Sequence, residues 1–198
     1  MILYRLKQQA YQLYKILFIL AKHFQSSIMQ PVITTERLYL REFSPQDAEL
    51  LYQLNLDPEV IQFTGDDAFH NVEEAANFIG QYDHYQQYNM GRWAVVSKDT
   101  DAFLGWCGLK YTPELDEFDI GFRFFKAYWN RGYATESATA CIDYGFNVLH
   151  IPRIIGRAVK ANTASVKVLE KIGLTFLETK DFHGMEGVIY TIENQQPL

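Results

Sequence analysis

The sequence reads Trp129-Asn130-Arg131-Gly132-Tyr133-Ala134-Thr135-Glu136 at the junction between an apolar run and an amphipathic segment. The run before it, Phe118 to Phe125, is rich in aromatic residues and has a glycine inside, which is typical of a strand. The segment after it repeats an apolar residue at every fourth position, which predicts a helix: Ala134, Ala138, Ile142 and Phe146. The chain therefore turns from a strand into a helix around Gly132.

The start of a helix is a place where a phosphate group can be bound by the main chain. It offers about four unpaired backbone N–H groups and roughly half a positive charge. Gly132 also lets the backbone approach a ligand closely, because it has no side chain. The turn is therefore interpreted as a cradle for a pyrophosphate. Strand-turn-helix junctions with one glycine are common in α/β proteins, so the turn alone leaves a purely structural role open.

A second segment carries the same kind of pattern further along the chain. It has a strand-like run at Ile154 to Val159, a polar loop from Lys160, and a short helix at Ser165 to Lys171, after which Gly173 stands as a C-cap. Together with residues 129–136, this segment resembles the GNAT superfamily of acetyl-CoA-dependent N-acetyltransferases. The resemblance is greatest to the branch of ribosomal-protein N-terminal acetyltransferases, and it extends over roughly residues 31–194.

Other parts of the chain are similar to the same branch. Thr34 to Arg41 resembles its opening strand, Asp57 to Val60 its second short helix, and Asp119 to Phe122 its central strand. The superfamily signature Q/R-x-x-G-x-G/A begins here at Trp129 and ends at the permitted alanine of residue 134. Residue 130 is asparagine where the branch usually has glycine.

The resemblance implies a mixed α/β (α+β) fold. Its central twisted sheet is mostly antiparallel, has about seven strands with a splayed central pair, and is flanked by helices. The sequence patterns agree with that order. They predict strands at 33–42, 93–97, 103–109, 117–124 and 154–159, and helices at 44–55, 71–88, 133–146 and 165–171. A turn at 98–101 and a final hairpin with its turn near His183-Gly184 complete the pattern.

Composition places the chain among ordinary cytoplasmic enzymes. Its 198 residues, 48% of them apolar, are enough for one good core. The net charge of −6 argues against a nucleic-acid partner. Cys107 and Cys141 have no metal-binding or disulfide spacing and are interpreted as small buried residues, with a covalent acetyl-cysteine route as the alternative. The histidines show no ligand spacing, so no metal is expected.

Residues 1–30 differ from the rest and are predicted to be a separate extension, with the acetyltransferase domain at 31–198. They contain no acid, four basic residues and the apolar run Ile16 to Ala21, which is typical of a basic amphipathic helix. That run is too short to span a bilayer, which needs about twenty apolar residues. A helix on anionic lipid, a helix packed on the domain or on a second subunit, and an upstream extension from a misassigned start all stay open.

The chemistry of acetyl transfer to an amine narrows the residues of interest. The reaction needs an uncharged amine, a polarised carbonyl and a proton for the departing thiolate. An α-amine, with a pKa of about 7.7 to 8.0, is substantially neutral at pH 7, whereas a lysine amine at about 10.4 is not. The expected acceptor is therefore a peptide N-terminus. A small amine such as a polyamine or aminoglycoside, and a non-catalytic acyl-CoA-binding or partner-binding module, are the alternatives.

Candidate bases cluster around the start of the central strand: Glu114, Asp116, Glu117 and Asp119. Glu117 and Asp119 are two positions apart and so share one face of that strand, while Asp116 faces the other side. Either carboxylate would act through a water molecule. Glu186 on the final hairpin is a further candidate. The alternative is a solvated strand entry, since acids often precede an apolar run.

The remaining site residues are implied by the resemblance. The backbone of Phe122, Arg123 and Phe124 would pair with the pantetheine arm. The pyrophosphate would be held by main-chain groups of the turn: Asn130, Arg131, Gly132, Tyr133, Ala134 and Thr135. Many members use a tyrosine as the proton donor, but that position is Leu169 here, so the expected donor is Ser165, with Asn162 orienting the coenzyme or the loop. A plain helix N-cap is the alternative role for Ser165. A homodimer is a candidate assembly.

Overall fold

The computed structural model describes residues 30–182 and 184–195, so the predicted extension at 1–30 lies almost entirely outside the described part. Eight strands occur in this part: β1 Ile33–Thr34, β2 Leu38–Arg41, β3 Arg92–Ser97, β4 Phe103–Thr112, β5 Glu117–Phe124, β6 Arg153–Val159, β7 Thr175–Phe182 and β8 Met185–Glu193. The helices are α1 Ala48–Leu56, α2 Pro58–Ile61, α3 Val72–Gln81, α4 His84–Tyr88, α5 Tyr133–Asn147 and α6 Thr163–Lys171. Short 3₁₀ turns lie at Pro45–Asp47 and Lys126–Tyr128.

The strands form one sheet in the order β1-β2-β3-β4-β5-β6-β8-β7. Every neighbouring pair is antiparallel except β5 and β6, which are parallel and are joined by the crossover helix α5. The mixed α/β class and the mostly antiparallel sheet are thus confirmed. The sheet has eight strands rather than about seven, because the predicted first strand is divided into the short strands β1 and β2.

The register between β4 and β5 shows which side chains lie on which face of the sheet. Cys107 pairs with Phe122, and its sulfur lies 3.8 Å from that of Cys141 on α5, so this face carries α5. The next pair, Trp106 and Arg123, lies on the opposite face, because side chains alternate along a strand. The sheet is therefore covered by α5 on one face and by the region of α1 on the other.

The apolar stripe predicted for α5 explains how that helix packs. Ala138 and Ile142 are buried, together with Cys141 and Gly145. A side chain at Gly145 would meet Leu109 of β4 at 2.8 Å, so the helix lies close to the sheet. Close packing fixes the direction of α5, and with it the position of the turn at residue 132.

Two predicted elements are broken in the structure. The strand predicted over 33–42 turns at Thr35, whose backbone N–H donates to the carbonyl of Leu38 at 2.9 Å. The helix predicted over 71–88 ends at Gln81 and resumes at His84, because Tyr82 takes an extended conformation and its hydroxyl accepts from the Arg92 backbone at 2.7 Å. The first break is a local turn, whereas the second is caused by a contact with the start of β3.

The predicted turns are confirmed. Ser97 donates to the carbonyl of Ala102 at 2.9 Å and closes the turn between β3 and β4. Gly173 follows α6 with φ +92°, the left-handed conformation of a helix C-cap. β7 ends at Phe182 and β8 begins at Met185, so the final hairpin turns where the sequence indicates, although His183 itself lies outside the described residues.

Candidate active site

The turn before α5 has the geometry of an anion cradle. Asn130 and Gly132 both take positive φ angles, 58° and 81°, so the chain bends sharply twice just before the helix. Gly132 is the N-cap of α5 and no side chain caps this helix start. The N–H groups of the first turn, at Tyr133, Ala134 and Thr135, are therefore not occupied by a side-chain cap. These groups and the positive end of the helix dipole fit a pyrophosphate.

Arg37 braces this cradle from the opening strands. Its Nε lies 2.7 Å from Oε2 of Glu136, and its backbone N–H donates to Oε1 at 2.9 Å. Its Nη1 donates to the carbonyl of Arg131 at 3.1 Å, and its guanidinium carbon lies 4.5 Å from the centre of the Tyr133 ring. The Thr35 hydroxyl donates to Glu136 at 2.6 Å. The cradle is thus tied to the beginning of the domain.

The Glu136 carboxylate is held in its charged form. Burial raises its pKa, but hydrogen bonds from Thr35 and Arg37 more than offset this, so the pKa lies below its ordinary value. A negative charge in the first turn of α5 would repel a phosphate, and Arg37 compensates that charge directly. Sequence reasoning assigned no role to Thr35, Arg37 or Glu136. Only the tertiary fold brings them together.

The central strands β5 and β6 diverge as predicted. Their register joins Asp119 to Ile155 and Ile120 to Gly156, and the described pairing goes no further. The later residues of β5, from Gly121 to Phe124, therefore have a backbone edge toward β6 without a strand partner. An extended ligand arm can pair with such an edge as an added strand does.

Three predicted coenzyme residues lie on this edge in different environments. Phe124 is 5% exposed and Phe122 is half-buried, so both make the edge apolar. The Arg123 side chain is 8% exposed and turns to the opposite face of the sheet, so only its backbone is placed to meet a pantetheine arm. Trp129 secures the end of the strand, because its indole N–H donates to the Phe124 carbonyl at 2.8 Å. Sequence reasoning noted Trp129 only as the start of a signature.

The start of α6 separates the roles of two predicted residues. Asn162 is the N-cap, and its side-chain oxygen accepts from the Ser165 backbone N–H at 3.1 Å. Ser165 is therefore the third residue of the helix and not its N-cap, which corrects the alternative role considered for it. Its side chain is half-buried. Leu169 is 1% exposed and contributes to the core, where it faces Gly156.

Of the carboxylates considered as bases, Asp119, Glu117 and Glu186 are paired with cations, whereas Asp116 accepts from the Tyr111 hydroxyl at 2.8 Å. Asp119 is bonded to Arg92, whose side chain is 16% exposed, and Glu117 is bonded to Arg157. Glu186 lies 2.7 Å from Nζ of Lys160. Glu117 also lines a cavity of about 320 Å³ at the start of β5, away from the cradle. Asp119 pairs with Ile155, next to the point where β5 and β6 begin to diverge.

A second cavity lies beyond the diverging strand ends. It has a volume of about 450 Å³, and it is lined by residues from the end of β6, the β7–β8 hairpin and the segment after α2: Val159, Lys160, Ala161, Met185, Glu186 and Phe63. Because β6 leads directly into α6, this cavity and the start of α6 adjoin the same strand end. The cavity therefore adjoins the end of β6 that lies beyond its pairing with β5.

The described residues hold no group of three or more His, Cys, Asp or Glu side chains placed for a metal ion. None of their helices combines the length and the apolar character needed to cross a membrane. Both cysteines are fully buried, and burial raises the pKa of the Cys141 thiol well above its ordinary value. A buried thiol of this kind is a poor nucleophile, which disfavours the acetyl-cysteine alternative.

Comparison with known proteins agrees with this architecture. Residues 37–175 match the family described as Acetyltransferase (GNAT) domain. The uncharacterized N-acetyltransferase p20 of Bacillus licheniformis is 32% identical over 140 residues, covering 70% of this chain and 79% of that protein. A GNAT-family acetyltransferase from Bacillus anthracis has a similar crystal structure, with a TM-score of 0.72 at 27% identity, covering 83% of this chain and 99% of that one.

A ribosomal-protein-S5-alanine acetyltransferase from Vibrio fischeri shares the fold, with a TM-score of 0.71 at 16% identity and coverage of 83% of this chain and 98% of that one. At this identity the similarity shows the fold alone. The family match covers well over half of the chain, and the relative from Bacillus licheniformis exceeds 30% identity over most of it. The chain therefore belongs to the GNAT superfamily and is an acyltransferase that uses acetyl-CoA as its donor and an amine as its acceptor.

Proposed function

We propose that the acceptor is the α-amine of a peptide N-terminus and that the acetyl group passes to it directly within a ternary complex. The observation that carries this proposal is that Asp119, Glu117 and Glu186 are each bonded to a cation. These carboxylates are held by their cations rather than directed at an acceptor amine. Such a site suits an amine that is already substantially neutral at pH 7. An α-amine meets that condition, whereas a lysine side chain does not.

The coenzyme site is proposed on the same strand edge. Acetyl-CoA supplies the acetyl group as a thioester. The amides of residues 131–135 hold the pyrophosphate, and the free edge of β5 orients the pantetheine arm. Phe122 and Phe124 exclude water from this edge, which strengthens the polar contacts made there. Asn162 keeps α6 in place by capping its start.

Two side chains are assigned to proton transfer. The Ser165 hydroxyl lies in the first turn of α6, where it donates a proton to the departing thiolate. Asp119 receives the amine proton through a water molecule, and Arg92 holds its carboxylate in place. The acceptor amine enters from the cavity of about 450 Å³, between Phe63 and Met185.

A thiol-release assay with acetyl-CoA tests the proposal. The acceptor panel contains peptides that start with Ala, Ser, Met or Asp, the same peptides with a blocked α-amine, polyamines and aminoglycosides. We expect turnover on the free peptides that disappears when the α-amine is blocked. Turnover on small amines alone would contradict the peptide assignment and would identify a small-molecule acetyltransferase.

A further inference from the structure

Arg123 occupies an unusual position for a residue of the splayed strand. It lies between Phe122 and Phe124, whose backbone is proposed to pair with the coenzyme, yet its guanidinium points to the opposite face of the sheet. There its side chain is only 8% exposed. A charged group at this depth needs hydrogen-bonding partners. The identity of those partners indicates what the residue does.

The partners of Arg123 lie on α1, on β4 and in the segment that follows α2. Nη1 donates to Oδ1 of Asn55 in α1 at 2.5 Å, and Nη2 is bonded to the Asp66 carboxylate. The guanidinium carbon lies 5.3 Å from the centre of the Trp106 ring, its neighbour on β4. Asn55 is itself 6% exposed, so this contact is part of the core. Asp66 is different, because its side chain is 59% exposed and it belongs to a connecting segment.

That connecting segment, residues 62–71, joins α2 to α3 and contains no regular helix or strand. Asp66 adjoins Gly65, which has φ +70°, and its backbone N–H donates to the Thr64 hydroxyl at 3.2 Å. Three residues before Asp66, Phe63 forms one wall of the cavity of about 450 Å³. The bond from Asp66 to Arg123 therefore connects the Phe63 wall to β5.

We propose that Arg123 is a positioning residue that holds segment 62–71 in place as one wall of the acceptor pocket. The fork of the guanidinium is suited to this task, because it reaches a rigid partner in α1 and a partner in the segment at the same time. The residue thereby couples the coenzyme strand to the acceptor wall. This inference rests on the proposed function, since it takes the cavity beside Phe63 to be the acceptor pocket.

Asp66→Ala is the variant that isolates this contact. The Asp66 side chain is largely exposed, so its removal leaves no cavity in the core. Asp67→Ala is the matched control, because it removes the same charge from the adjacent exposed position. Asp66→Glu keeps the carboxylate and is the conservative variant. Arg123→Lys keeps the charge but loses the fork, so it should behave as Asp66→Ala does.

Two measurements on the full chain decide the proposal. Amide hydrogen exchange over residues 62–71 reports whether the segment is held, and the KM for the amine that is turned over best in the acceptor panel reports whether the wall serves the acceptor. In Asp66→Ala we expect about tenfold faster exchange, equivalent to about 1.4 kcal/mol, and an acceptor KM raised about fivefold to tenfold, equivalent to about 1–1.4 kcal/mol. The KM for acetyl-CoA should change less than about twofold, since the edge of β5 is untouched.

Each outcome has a definite meaning. Faster exchange and a raised acceptor KM in Asp66→Ala, with Asp67→Ala and Asp66→Glu close to the unmodified chain, support the proposal. Unchanged exchange, or an equal effect in Asp67→Ala, overturns it. Faster exchange with an unchanged acceptor KM overturns the assignment to the acceptor pocket. If the unmodified chain acetylates no amine, the proposed function fails, and the exchange result still decides whether Arg123 holds the segment.

Discussion

Replacing Arg37 with alanine removes three contacts to the coenzyme cradle at once. The ion pair with Glu136 at 2.7 Å, the hydrogen bond to the Arg131 carbonyl at 3.1 Å and the stacking on Tyr133 at 4.5 Å are all lost. The backbone N–H of residue 37 keeps its bond to Glu136. The carboxylate therefore stays beside the helix start, but the cation that compensated its charge is gone.

The contacts set the size of the effect on stability. An exposed ion pair contributes about 0.2–1 kcal/mol, a cation–π contact about 0.5–1 kcal/mol and a hydrogen bond about 1 kcal/mol. The Arg37 side chain is 42% exposed, so solvent already screens these contacts and the lower values apply. We expect the free energy of unfolding to fall by about 1–2 kcal/mol, which lowers Tm by about 2–8 °C in a chain of this length.

The effect on coenzyme binding follows from charge. With Arg37 absent, the Glu136 carboxylate repels the pyrophosphate that the first turn of α5 binds. One uncompensated charge near the helix start costs about 1 kcal/mol, or about a fivefold increase in the Kd for CoA. Raising the ionic strength should reduce this difference, because exposed charges are screened by salt.

Calorimetric titration with CoA measures the effect, and Glu136→Gln is the matched variant. The glutamine still accepts from Thr35 but carries no charge, so this variant should bind CoA at least as tightly as the unmodified chain. In the double variant, the loss caused by Arg37→Ala should largely disappear. The reasoning is refuted if Arg37→Ala binds CoA with unchanged affinity, or if Glu136→Gln weakens binding as much as Arg37→Ala does.

Three further predictions concern the proton donor, the sheet and pH. Ser165→Ala should lower kcat about a hundredfold with unchanged CoA affinity. Thr163→Ala removes a hydroxyl from the same helix start and should leave kcat unchanged. An unchanged kcat in Ser165→Ala would exclude Ser165 as the proton donor. Gly108→Ala should lower the free energy of unfolding by more than about 3 kcal/mol, because the added Cβ would lie 2.0 Å from the Gly91 carbonyl oxygen. Denaturant unfolding measures this loss. A loss below about 1 kcal/mol would show that β3 and β4 can separate. The lowered pKa of Glu136 contributes stability that is fully present above the ordinary value of 4.5 and is lost as pH falls through the folded value. Glu136→Gln should therefore have a flatter stability profile in acid, and equal profiles would contradict the ion pair.

The local patterns in the sequence predicted the elements around the cradle because those patterns act over short distances. The fourfold apolar repeat of α5, the left-handed glycine at residue 132 and the C-cap at Gly173 each depend on a few neighbouring residues. The family resemblance added the splay of β5 from β6, which a strand pattern alone does not contain. The proposed coenzyme half of the site depends on these features.

The features that were missed depend on residues far apart in the chain. Arg37 and Glu136 are separated by 99 positions, and Arg123 lies 68 positions from Asn55 and 57 from Asp66. An arginine within a strand pattern indicates that a charge is buried. It does not indicate which distant residue compensates that charge. The sequence therefore assigned Arg123 to the coenzyme site. Its side chain contacts segment 62–71, the proposed wall of the acceptor pocket.

The role of Asn162 shows how one helix cap can settle two assignments. Its side-chain oxygen satisfies the Ser165 backbone N–H, which no pattern of residue types alone determines. This frees the serine hydroxyl from the capping role that the sequence left open. A single hydrogen bond thus separates the residue that holds the loop from the residue proposed to donate a proton.

The last strand of the sheet, β7, has a consequence for handling the protein. Nearly every residue of β7 is exposed, including Phe176 at 56% and Leu177 at 49%, and one backbone edge of the strand has no neighbour within the described sheet. Such an edge favours aggregation, and charged side chains along it counteract that tendency. Glu178 and Lys180 supply those charges here. Surface engineering that neutralises them to promote crystallisation would therefore reduce solubility.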